Sequence, residues 1–145
     1  MEYPTARMLG GRRTLRRSVS SDFQLARMVR EGLPAKALDH VLAELTPEAA
    51  TQAEVYGVVG RARTLQRKRT AGTRLSPDES DRLARLARIL VRVEEVLGAA
   101  VKARRWLGKA NEALGGVKPL LLLDSDAGAL AVEQVLGRIE HGIYS

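Results

Sequence analysis

The chain has 145 residues, 45% of them hydrophobic, and a net charge of +7 from 24 basic and 17 acidic side chains. That length and hydrophobic content suit a folded domain and exclude wholesale disorder. There is no cysteine, so disulfides and thiolate metal sites are excluded. No apolar run approaches the roughly 18 residues of a membrane span. We therefore expect a cytoplasmic protein without membrane contact.

The positive charge is concentrated in two segments. Residues 1–20 hold five Arg and one Glu, and residues 61–75 hold six basic residues and no acidic one. We interpret residues 1–20 as a flexible basic arm. Such clustering indicates a directed contact with a polyanion rather than general solubility.

Helix start and stop signals recur in the first half of the chain. They predict a helix between Ser21 and Gly32 and a second helix from Pro34. A third is expected to open at Thr46, with Pro47 in its first turn. The following "VYGVVG" has two glycines and β-branched valines, so a turn or a poor helix is expected there. "RARTLQRKRT" then predicts a helix.

The clearest helix is predicted over "SPDESDRLARLARILVRVEEVLG". Ser76 and Glu79 form a capping box at its start, and Gly98 ends it. Its apolar stripe consists of Leu83, Leu86, Leu90, Val93 and Leu97. Another face of the helix carries Arg85, Arg88 and Arg92. Further helices are expected around "VKARRWLGKA" and from Asp126 to His141. Because no period-2 alternation occurs, we predict an all-α fold of about seven helices.

Two apolar features in the last third of the chain can each be interpreted in two ways. Trp106 is the one tryptophan of the chain, and it is either a core anchor or an interface residue. Four consecutive leucines run from Leu120 to Leu123. Because a helix or turn cannot direct all four into one core, at least one should face outward. Asp124 or Asp126 is expected to cap the helix that follows.

The basic cluster after "VYGVVG" has the residue types of a DNA-recognition helix. It follows a short helix and a glycine-containing turn, as in a helix-turn-helix unit. The candidate DNA-binding residues are Arg61, Arg63, Thr64, Gln66, Arg67, Lys68 and Arg69. The alternative is a solvated basic helix without a ligand. RNA also stays open, although no aromatic stacking platform accompanies the cluster.

The sequence offers little material for catalysis. It has two histidines, His40 and His141, and no cysteine. No acidic pair, phosphate-binding loop or metal-ligand spacing stands out. We therefore do not expect an enzyme, a cofactor or a metal site.

The motifs in order resemble a known family. R-T-L-x-R is followed by L-S-x-x-E-S-x-R, W-L, N-x-x-L-G-G-x-x-P and R-I-x-H-G. Over about residues 33–145 this pattern is similar to Xre/MbcA/ParS-type antitoxins, in the branch paired with RES-domain toxins. In one respect the chain departs from the pattern, because its turn glycine and second helix are not spaced as in a standard helix-turn-helix.

The resemblance implies a two-part antitoxin. Residues 21–98 would form an Xre-like helix-turn-helix region that dimerises and binds operator DNA, and residues 99–145 a toxin-binding domain. RES toxins degrade NAD, so NAD would be the partner's substrate. The antitoxin would block the toxin's active site with its C-terminal end. The expected toxin-binding residues are Trp106, Leu120, Leu121, Arg138, His141, Gly142, Ile143, Tyr144 and Ser145. The alternative is a helix-turn-helix transcriptional regulator without a toxin partner.

Overall fold

The computed structural model describes residues 3–142, which form helices and connecting segments without a β-strand. The predicted all-α fold is confirmed. The α-helices are α1 Pro4–Met8, α2 Gly11–Leu15, α3 Asp22–Glu31, α4 Ala37–Leu45, α5 Gln52–Val59, α6 Ala62–Ala71, α7 Pro77–Leu97, α8 Ala100–Leu107 and α9 Asp126–Glu140. Two 3₁₀ helices, Glu112–Leu114 and Pro119–Asp124, connect α8 to α9.

Helix α7 is the central element of the fold. The predicted capping box is present, because the Ser76 side chain accepts from the Glu79 N–H and the Glu79 carboxylate accepts from the Ser76 N–H. Helices α1, α3, α5, α8 and α9 all pack against α7. The apolar stripe, with Leu86 and Leu90 fully buried, therefore supports both halves of the chain.

The N-terminal segment differs from the expected flexible arm. Residues 3–20 contain α1 and α2, and α1 packs on α7. Leu9, Leu15 and Val19 are buried in the common core. The apolar residues between the arginines are spaced so that short helices can bury them. The free energy gained by burying these side chains outweighs the unfavourable effect of the locally dense positive charge.

Helix α5 begins later and extends further than predicted. The Thr46 hydroxyl donates to the Leu42 carbonyl at 2.6 Å, so Thr46 closes α4 instead of opening a helix. Thr51 caps α5, and Glu54 completes its capping box. The valines of "VYGVV" are helical because burial of Val55, Val58 and Val59 outweighs their low helix propensity.

The leucine run forms the second 3₁₀ helix. With three residues per turn, positions i and i+3 share a face, and Leu120 and Leu123 are both fully buried. Leu121 faces outward and is 36% exposed. The cap of α9 is Ser125, whose side chain accepts from the Gly128 N–H at 3.0 Å. This corrects the predicted cap at Asp124 or Asp126, because Asp124 ends the 3₁₀ helix and Asp126 is already in the first turn of α9.

None of the helices in residues 3–142 combines the length and the apolar character needed to cross a membrane.

Candidate DNA and toxin interfaces

Helices α5 and α6, which correspond to the predicted helix-turn-helix unit, are joined by Gly60 and Arg61. The inner side of α6 is held on the core by Leu65, which is fully buried. Lys68 and Arg69 are also turned toward the protein. Lys68 Nζ lies 2.7 Å from Glu79 Oε1. Arg69 pairs with Asp39 at 2.5 Å and also donates to the Tyr56 hydroxyl.

Glu79 ties α6 to the start of α7. Its carboxylate is buried, and burial alone would raise its pKa. Hydrogen bonds from Lys68 and from the Ser76 N–H outweigh burial and hold the pKa of Glu79 below its ordinary value. The charged form of Glu79 therefore holds the two helices together.

The outer side of α6 carries exposed residues of the predicted DNA-binding set. Arg63, Gln66 and Arg67 are exposed on one stripe, at the i, i+3, i+4 spacing of a helix face. Arg61 is exposed just before the helix, and Thr64 is half-buried. In the described part of the chain, Arg63 and Arg67 make no ion pair. The structure thus divides the predicted set into this outward stripe and the inward pair Lys68 and Arg69.

A second basic surface lies on α2 and the residues that follow it. Arg13 on α2 and Arg16 just after it are exposed, whereas Arg17 pairs with Glu31 at 3.1 Å. Thr14 Oγ1 lies 2.9 Å from His40 Nε2 on α4, and α4 in turn holds α6 through Asp39. These arginines are therefore part of the folded unit that carries α6.

The C-terminal region presents some of the predicted toxin-binding residues and buries others. Leu120 is fully buried and cannot contact a partner while the domain is folded. This corrects its assignment to a binding surface. Trp106 is half-buried against the core, so it is partly an anchor. Leu121 presents an apolar side chain to solvent beside the buried pair.

Arginines of α7 hold the C-terminal helix in place. Arg88 pairs with Glu133 at 2.6 Å, and Arg92 pairs with Glu140 at 2.5 Å. Arg85 is buried and donates from Nε to the Leu123 carbonyl at 3.2 Å. The second face predicted on α7 is thus a docking face for α9 and for the 3₁₀ helix before it.

The end of α9 is exposed and basic. Arg138 makes no ion pair with the described residues, and His141 and Gly142 are exposed. The hydrogen bond from Arg92 holds the pKa of Glu140 below its ordinary value, so Glu140 stays charged and keeps this end on α7. Ile143, Tyr144 and Ser145 lie outside the described residues.

Two contacts that join the domains were absent from the sequence interpretation. Lys118, just before the second 3₁₀ helix, lies 3.3 Å from the Glu54 carboxylate on α5. That 3₁₀ helix packs on α5 as well as on α9. The partners of this ion pair are 64 positions apart, so no local sequence pattern could have revealed it.

Among residues 3–142, no group of His, Cys, Asp and Glu side chains has the arrangement that could hold a metal ion.

Comparison with known proteins assigns both halves of the chain. The family model of the Antitoxin Xre-like helix-turn-helix domain matches residues 24–88. The family model of the Antitoxin Xre/MbcA/ParS C-terminal toxin-binding domain matches residues 92–142. The boundary between the matches lies within α7, the helix that supports both.

Individual relatives carry the same family name over most of this chain. An Antitoxin Xre of Photorhabdus laumondii is 32% identical over 87% of this chain and 84% of its own length. The chain belongs to the Xre antitoxin family. One Xre antitoxin, from Pseudomonas putida, is 33% identical over 86% of this chain and 76% of its own length. Another, from Yersinia enterocolitica, is 36% identical, with 65% of each chain covered. A Prs ADP-ribosylating antitoxin of a Sphingobium strain is 24% identical over 81% of this chain and 79% of its own length.

Proposed function

We propose that this Xre antitoxin neutralises an NAD-degrading RES-domain toxin by covering its active site, and that it represses its own operon. The observation that carries the proposal is the toxin-binding domain match over residues 92–142. Within it, the exposed end of α9 projects from a firmly held base. In this view the chain acts by binding in the cytoplasm, without catalysis of its own.

The contacting surface would be built from the exposed members of the predicted set. These are Leu121, Arg138, His141 and Gly142, with the half-buried Trp106 contributing its accessible edge. Ile143, Tyr144 and Ser145 would enter the toxin's cleft, as the resemblance implies. One relative's name refers to ADP-ribosylation, a chemistry that also consumes NAD, and this is compatible with an NAD-using partner.

Repression would rest on the outward stripe of α6. Arg61, Arg63 and Arg67 would contact phosphates or guanine edges in the major groove, with Gln66 available for a base contact. Lys68 and Arg69 would act indirectly by fixing the orientation of α6. The same stripe supports the alternative function, a transcriptional regulator without a toxin partner.

Co-expression with the neighbouring gene distinguishes the two functions. We expect a stable complex, in which the toxin consumes no NAD, and rapid NAD loss when the toxin is released from it. An NAD assay on the purified complex and on the separated toxin measures this. Absence of a complex, together with specific operator binding, would support the regulator instead.

The assay should also identify the toxin's reaction. A RES toxin that degrades NAD releases its products without labelling protein, whereas an ADP-ribosylating toxin transfers ADP-ribose to a protein target. Incubation with adenine-labelled NAD separates these outcomes, because only the second leaves label on protein.

A further inference from the structure

The helices that precede the family matches carry arginines whose role the fold does not explain. The match to the helix-turn-helix domain begins at residue 24, so α1, α2 and residues 16–20 lie outside it. Arg13 on α2 and Arg16 just after it are exposed, and neither makes an ion pair with the described residues. These two charges therefore stabilise no contact within the described part of the chain and are available to a ligand.

Arg16 ends α2 in a backbone conformation that suits glycine. Its φ is 67° and its ψ is 10°, in the left-handed region, and among residues 3–142 it is the one non-glycine residue with a positive φ. A residue with a Cβ is disfavoured in this region, and helices that end with a left-handed residue usually have Gly there. An arginine at position 16 therefore costs stability, which indicates that its guanidinium serves a function other than folding.

Helix α4 connects α2 to α6. Thr14 Oγ1 on α2 lies 2.9 Å from His40 Nε2, and the neighbouring Asp39 pairs with Arg69 of α6 at 2.5 Å. Because the Cα atoms of consecutive residues are about 3.8 Å apart, α2 and α6 contact the same turn of α4. A groove lined by Asp39, Gln66 and Arg69 continues from this turn to the outward stripe of α6. The end of α2 is thus one helix away from that stripe.

The start of α4 adds another cation between the two helices. Lys36 is exposed and makes no ion pair with the described residues. It precedes Asp39 and His40 by three and four positions, so it lies on the same face of α4 as the contacts with α6 and α2. The Asp39 carboxylate is engaged by Arg69 and leaves these cations in excess. The exposed, unpaired cations from α2 across α4 to α6 are Arg13, Arg16, Lys36, Arg63 and Arg67, and we call them the α2–α6 band.

We propose that Arg13, Arg16 and Lys36 form a second DNA contact, which binds phosphates beside the groove that α6 enters. This inference rests on the proposed function of the chain as a repressor. Packed helices lie about 8–10 Å apart, and the major groove is about 12 Å wide. Cations one helix away from α6 therefore meet the phosphates at the edge of the groove, whereas base edges are reached from within it. An arginine can bind a phosphate with two N–H groups at once.

The salt dependence of operator binding tests the second contact. Arg13→Ala, Lys36→Ala and Arg16→Gly should each reduce the slope of log affinity against log salt by about one. Arg105→Ala on α8 is the matched control and should leave the slope unchanged. Arg105 is also exposed and makes no ion pair in the described part of the chain, but it belongs to the toxin-binding domain.

Arg16→Gly separates a DNA contact from a role in folding. Because glycine adopts the left-handed conformation at little cost, this variant should unfold at a higher urea concentration than the natural chain while binding DNA more weakly. A phosphate contact carries no sequence information, so affinity for unrelated DNA should fall by the same factor as affinity for the operator. Gln66→Ala, which removes a proposed base contact, should weaken operator binding more than binding to unrelated DNA.

Unchanged salt slopes in the Arg13, Arg16 and Lys36 variants would overturn the second contact. If Arg63→Ala lowered the slope in the same assay, repression through α6 would stand without it. If the three variants kept the natural slope but weakened the complex with the toxin, the α2 end of the band would bind the toxin and the proposal would be wrong. A natural chain that bound no DNA would overturn both the repressor function and this inference.

Discussion

Gly128 allows the start of α9 to pack closely against the backbone of the leucine segment at Leu122. A Cβ at this position would lie 1.8 Å from the Leu122 carbonyl oxygen, which is backbone and cannot move away on its own. Gly128→Ala should therefore lower the free energy of unfolding by about 2 kcal/mol or more, as measured by urea denaturation.

Gly137 of the same helix is the matched control, because a Cβ there meets nothing within 4 Å. Gly137→Ala should raise the free energy of unfolding by up to about 1 kcal/mol through helix propensity. Equal effects of the two substitutions would show that α9 does not rest on the leucine segment as described.

Arg63 and Arg67 should bear on DNA affinity and hardly on folding. Both are exposed and unpaired within the described part of the chain. Replacing either with Ala should reduce the slope of log affinity against log salt by about one, for one lost phosphate contact. Lys68→Ala is the contrast, and should lower stability through its lost bond to Glu79. An unchanged slope in both arginine variants would place the DNA surface elsewhere, with α2 the next candidate.

At the scale of elements, Glu79 gives the contact between α6 and α7 a pH dependence. Its lowered folded-state pKa means that its stabilisation is present at neutral pH and is lost as the pH falls through that lowered value. Glu79→Gln should thus unfold about 1–2 kcal/mol more easily than the natural chain at pH 7. The difference should shrink as the pH falls below the ordinary glutamate range and through the lowered folded-state value, because the natural side chain then becomes protonated as well. A difference that stays constant between pH 7 and pH 3 would contradict this role.

The elements that were predicted well are those whose signals are local. Helix α7 combines a capping box, Pro77 at its first position and a long apolar stripe, all within one segment. Helix α5 was placed less well because two start signals compete. Thr46 with Pro47 and Thr51 with Glu54 both suit a cap, and the packing of α4 decides between them. The leucine run required the 3₁₀ geometry before its outward residue, Leu121, could be identified.

In the candidate sites too, features with local sequence signals were predicted and features that depend on distant contacts were not. The sequence places the arginines on α6 but cannot tell an outward Arg67 from an inward Arg69, because the partner Asp39 is 30 positions away. Leu120 was assigned to a binding surface for the same reason, since its burial depends on distant elements. Basic residue types therefore predict a polyanion as the ligand, and the tertiary packing decides which side chains would be available to it.

At the scale of the whole molecule, α7 serves both domains. Its start is tied to α6 through Glu79, and its later turns are tied to α9 through Arg88 and Arg92. The second 3₁₀ helix adds a contact with α5 through Lys118. The toxin-binding domain is therefore held directly on the helix-turn-helix domain, and the end of α9 is fixed on α7.

We propose that the C-terminal end blocks the toxin's active site. The most direct test of this proposal is NAD turnover by the toxin in the presence of the natural chain or of a chain lacking Gly142–Ser145, at equal stoichiometry. Because the removed residues follow the last ion pair of α9, at Glu140, the truncated chain should keep its circular dichroism and operator binding. We expect it to bind the toxin and yet leave NAD consumption running. Full protection of NAD by the truncated chain would contradict the account.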